Sequence, residues 1–142
     1  MKMSHLSSRY FNAFILILLI AGNSAIASSP CSGLKTNLDV TQKNLIEKNI
    51  MRQLNQEFEV KKVDVLAFFT YQGWSMVYEN DWASDESILV YSGDILHTDY
   101  VAIFSGAVSI DDDMEQWIKE SAPGIPDKLA QCFSWYSAYR TD

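Results

Sequence analysis

The sequence predicts an α+β domain: an N-terminal amphipathic helix, an antiparallel meander sheet of three to four strands, and two short C-terminal helices. Three observations predict it. Residues Val63 to Val108 hold successive runs of β-branched and aromatic residues. The connections between these runs are short, which pairs neighbours antiparallel. Apolar residues at helical spacing flank the region on both sides.

Residues 1–27 stand outside this domain. Lys2 and Arg9 form a positive leader, and Tyr10 to Ala21 is an apolar run of signal-peptide length, short for a membrane span. Ala25-Ile26-Ala27 is a small-x-small cleavage site, so the exported chain is expected to begin at Ser28 as one domain, 28–142. Cys31 does not suit lipid attachment, because Pro30 precedes it. The expected compartment is periplasmic or extracellular, with no stable membrane association after cleavage.

Cleavage takes Lys2 and Arg9 from the 11 basic residues and none of the 18 acidic ones, moving the formal charge from −7 to −9. Such a chain lacks the cationic excess that nucleic acid or an anionic lipid surface demands. It suits a basic protein partner, and it also serves solubility. The exported chain keeps two cysteines, Cys31 and Cys132. In an oxidising compartment they are expected to pair. The absence of a Cys-x-x-Cys motif argues against a redox role.

Helix one is predicted from Val40 to Phe58. Asp39 is its N-cap, and Gln42 completes a capping box. Ile46, Ile50, Leu54 and Phe58 form its apolar stripe with Leu45 and Met51, while Gln53 falls with the polar arc. In the sheet, Val63 to Tyr71 is apolar on both faces in the middle, which predicts an interior strand. Strict alternation puts Val63, Val65, Ala67, Phe69 and Tyr71 on one face. Gln72-Gly73 turns into Trp74–Tyr78, then come Ser87–Tyr91 and Tyr100–Val108. Asp111 to Asp113 place carboxylates before a helix over Met114–Ser121, where the dipole favours them. Pro123-Gly124 ends it, and Pro126 opens a last helix to Tyr136.

Chemistry is sparse. His97 is the one histidine after the leader, and it lies in a connection near Asp94 and Asp99. A locally paired or solvated imidazole explains it, and no Gly-x-Ser-x-Gly elbow accompanies it. No catalytic residue, metal site or cofactor motif is predicted: one histidine and two paired cysteines do not make a zinc site, and the acidic clusters lack an EF-hand loop. The polar run Glu79 to Glu86 is distinctive. It carries Glu79, Asp81, Asp85 and Glu86 around Trp82, between two strands. A tryptophan there is either a lid folded onto the core or an exposed anchor. The lid is the default, because exposed tryptophan is an aggregation liability.

The leading functional expectation is a small acidic exported binding protein of inhibitor or immunity type, with Glu79, Asp81, Trp82, Asp85 and Glu86 facing a basic protein partner. One alternative is a small-ligand-binding envelope module with an apolar pocket between helix and sheet. Another is a hydrolase using His97 with a carboxylate.

Overall fold

The computed structural model describes residues 28–109 and 111–140; the leader and its cleavage site lie outside the described residues. The elements are α1 (Val40–Leu54), β1 (Asp64–Tyr71), β2 (Trp74–Asn80), β3 (Ser87–Ser92), β4 (Ala102–Ser105), α2 (Met114–Ser121) and α3 (Asp127–Tyr139). The four strands form one antiparallel meander in the order β1-β2-β3-β4. This is the expected α+β class. Two apolar clusters show how the layers stack. Ile46, Ile50 and Leu54 of α1 meet Phe68, Val77, Leu89 and Tyr91 on one face. Ile118 of α2 and Leu129 and Phe133 of α3 meet Phe69, Met76, Tyr78 and Val90 on the other.

The α1 capping box forms as expected. Asp39 Oδ1 accepts from Gln42 N at 2.8 Å, and Gln42 Oε1 accepts from Asp39 N at 3.2 Å. The helix stops at Leu54, four residues before the predicted end. Asn55 ends it: its Nδ2 donates to both Met51 O and Val60 O, and its Oδ1 accepts from Val60 N. Those bonds turn the chain, and Phe58 leaves the stripe for solvent. Gln53 departs from its predicted polar arc and is buried. It donates to Thr98 O and accepts from Tyr91 Oη and Tyr100 N, tying α1 to the loop before β4.

β1 differs from expectation in two ways. It is an edge strand, not an interior one. Its apolar middle reflects cover by helices on both faces, and the segment 34–36 pairs with its free edge: Thr36 N donates to Phe68 O and Thr70 N to Leu34 O. Alternation also breaks at a bulge between Val65 and Ala67. Val65 packs with α1, whereas Ala67 and Phe69 pack with α2 and α3. One inserted residue, Leu66, reverses which face its successors occupy and is itself 49% exposed.

The β1–β2 connection is a two-residue turn in which Gln72 and Gly73 both take positive φ, as the twist of a tight hairpin requires. β4 is shorter than predicted. α2 has the predicted bounds, with Asp113 Oδ1 accepting from Gln116 N at 2.9 Å as its cap. α3 runs on to Tyr139, with Pro126 as N-cap rather than first helical residue. Cys31 and Cys132 form a disulfide with their Cα atoms 4.6 Å apart, joining the segment before α1 to α3.

Candidate functional site

The loop from Glu79 to Ser87 is built by its own polar side chains. Asp81 Oδ1 accepts from Ala83 N and Ser84 N, both at 2.8 Å, and its Oδ2 accepts from Ser84 Oγ at 3.0 Å. Aspartate at the head of a turn commonly satisfies backbone donors this way. Asp81 is therefore buried and committed to the turn. Asn80 holds the other side: its Oδ1 accepts from Trp82 N at 2.8 Å, and its Nδ2 donates to Glu86 Oε1 at 3.4 Å.

Trp82 is 65% exposed, so the lid expectation is not met. Two non-glycine residues among those described have positive φ. Gln72 owes it to the hairpin, but Trp82, at φ 59°, belongs to no such turn. A bulky residue in the left-handed region is held at a cost of roughly 1–2 kcal/mol. The ring is also held. Its Nε1 donates to Asp64 Oδ2 at 2.8 Å, and Lys62 Nζ lies 4.8 Å from the ring centroid. Lys62 in turn pairs with Asp64 at 2.7 Å. The Lys62 ammonium, and next the indole N–H, hold the Asp64 carboxyl below the usual carboxylate range.

The five predicted residues thus divide. Trp82 and Asp85 are exposed and Glu86 is half-buried, while Asp81 and Glu79 face inward. A surface drawn through all five is corrected to one around Trp82, Asp85 and Glu86. Lys62, Asp64 and Asn80 position it, and sequence reasoning missed them. One signal was present: Asp64 is the only charged residue of β1. What unites them is strand register, because Asp64 pairs with Asn80 and so sets the chain before β1 beside the loop after β2.

No protein family, curated protein or solved structure matched this chain. The site is therefore read from its own geometry.

Glu79 is the least expected group. It is 0% exposed, Ser87 Oγ donates to its Oε1, and its Oε2 has no hydrogen-bond partner. Burial pushes its carboxyl up to about 7; the Ser87 bond opposes this, and the Asp81 and Glu86 carboxyls add to it. His97 is exposed on the turn after β3, with Nδ1 2.7 Å from Asp94 Oδ2. Leu96 N, and then the His97 ring, lower the Asp94 carboxyl. That is the local pairing expected of it.

Proposed function

We propose that this protein is an exported binding protein, of inhibitor or immunity type, that docks a basic protein partner on Trp82. The observation that carries the reading is the presentation of Trp82. A large aromatic is kept in solvent in a strained backbone conformation: Asp64 and Lys62 hold its ring, and Asn80 holds its backbone N–H. Strain of this kind concentrates at functional sites. A rigid aromatic supplies anchoring energy at low entropic cost, and surrounding carboxylates speed encounter with a cationic partner. Asp85 and Glu86 are the acidic neighbours, and the net charge of the chain adds a longer-range field. Export rests on the leader pattern and the disulfide, which suits an oxidising compartment. Among the described residues no helix is long and apolar enough to cross a membrane.

The decisive experiment is capture of partners from envelope and secreted extracts, followed by affinity measurement. Trp82→Ala is expected to cost about 2 kcal/mol or more of binding. Its folding stability should fall by no more than about 1 kcal/mol, since the exposed ring gives up one surface hydrogen bond and one cation contact. Trp82→Gly should fold about 1 kcal/mol more stably than Trp82→Ala, because only glycine takes this backbone conformation without steric cost. Undiminished partner affinity in both variants would remove Trp82 from the interface.

Export has its own check. N-terminal sequencing of the secreted or periplasmic protein should begin at Ser28. A soluble exported form that still carries Met1 would overturn the cleavage reading.

A further inference from the structure

A second site lies on the inner side of the same loop and does not depend on the role of Trp82. A cleft of about 270 Å³ opens where α1 ends, between Leu54, Phe58, the turn at Asp81–Ser84, and β4. Its walls are apolar where Leu54, Phe58, Ala83 and Ile103 line it. Its base is polar for a reason of register. Val65, Glu79, Ser87 and Ser105 pair in one row across the four strands. Directly paired residues project to the same face of a sheet, and Val65 packs with α1. Glu79 therefore projects to the side on which the cleft opens. Ser87 and Ser105 line the cleft, and the Ser87 hydroxyl donates to Glu79 Oε1. The buried carboxyl thus stands one hydrogen bond behind the cleft wall, with its second oxygen unpartnered.

The charges here are all of one sign. Asp81 lines the cleft, and the Asp81 and Glu86 carboxyls both act on Glu79. Among the described residues, none of these three carboxyls forms an ion pair. Their oxygens do not converge as metal ligands do. A buried acid with an unmet acceptor costs stability, and native proteins rarely keep one without a use. The walls call for an apolar body and the base for a cationic hydrogen-bond donor.

We infer that this cleft binds a small organic ammonium ion, its apolar body against Leu54, Phe58 and Ile103 and its charge beside Asp81, with the Glu79 carboxyl behind the wall adding to the attraction. Asp81 lines the cleft and Glu79 stands behind its wall, so both carboxylates favour a cation there, while Leu54, Phe58 and Ile103 take up an apolar body.

The test is an NMR titration of the purified protein with n-butylammonium, following the methyl signals of Leu54, Ala83 and Ile103, with n-butanol and butyrate as probes of the same length. Saturable shifts at millimolar n-butylammonium are expected, with butanol and butyrate at least about tenfold weaker, as suits recognition by a charged acceptor. At pH 8, where the Glu79 carboxyl is ionised, Glu79→Gln should weaken n-butylammonium by about threefold or more, because it removes a charge behind the cleft wall. Ser105→Trp, at an exposed position in the cleft mouth, should abolish binding by filling it. Butanol binding as tightly as n-butylammonium would overturn the inference. So would no saturable shift in the wild-type protein, or full affinity in both variants.

Discussion

Cys132→Ser is expected to lower the free energy of unfolding by about 4–5 kcal/mol, and Cys31→Ser by a similar amount. The bond closes a loop with a sequence separation of 101 residues, nearly the whole described chain. Cross-linking so long a loop removes a large part of the freedom of the unfolded state. The folded state loses something as well. Cys31 anchors the segment in which Leu34 enters the core and residues 34–36 pair with the free edge of β1. An uncovered strand edge invites association with other chains. Urea unfolding with and without reductant checks both parts. Reductant should destabilise the wild-type protein about as much as either substitution, and should leave Cys31→Ser/Cys132→Ser unchanged. Reduced and oxidised wild type unfolding at the same urea concentration would refute the constraint. Aggregation should rise on reduction before global unfolding, because the edge is released first.

The second large effect is a pH dependence centred on Glu79. Its carboxyl is pushed from an ordinary 4.5 to about 7 in the folded protein. The folded state therefore holds the proton more tightly than the unfolded state. Stability from this group is fully present below pH 4.5 and is lost as pH rises towards 7, with no further change above that. A displacement of this size corresponds to about 3 kcal/mol. Glu79→Gln has no proton to lose. It carries a constant penalty of its own, since one amide hydrogen pair takes the place of the unpartnered oxygen. The informative quantity is the difference in unfolding free energy between wild type and variant, followed from pH 4.5 to pH 8. Contributions from the other carboxyls and the constant penalty cancel in its slope. It should change by about 3 kcal/mol in favour of Glu79→Gln as pH rises. Parallel curves for wild type and Glu79→Gln would show that the buried carboxyl does not titrate in this window.

Glu79 and Trp82 mark the limit of reading a site from local pattern. Both stood out in sequence as members of a polar run between two strands. Their opposite fates depend on register. Glu79 is still within β2 and pairs with Val65 on the α1 face. The predicted strand ended at Tyr78 and left Glu79 to the polar run, whereas β2 continues to Asn80 and alternation with Val77 carries Glu79 inward. Trp82 stands past the end of the strand, where Asp81 and Asn80 shape the turn and Asp64 supplies the acceptor for its indole. Asp64 is eighteen residues away in sequence, and nothing in the linear pattern joins the two.

By itself the sequence determined which elements form, because their signals are local. Capping by Asp39 and Gln42, the carboxylates before Met114, and the Gln72-Gly73 turn act within a few residues. The pairing of Cys31 with Cys132 was legible too, since the leader pattern predicts an oxidising compartment and two cysteines leave one partner each. Tertiary structure alone decided which side of the sheet each β1 residue serves. The bulge at Leu66 interrupts a period of two that sequence reading must assume unbroken. It also decided that β1 lies at the edge, because burial on both faces looks the same in sequence whether strands or helices supply it. It decided the environments of Gln53, Glu79 and Trp82. Burial is not a property of a residue type or a spacing; it depends on which distant segments pack against that position, and only the assembled fold brings them there.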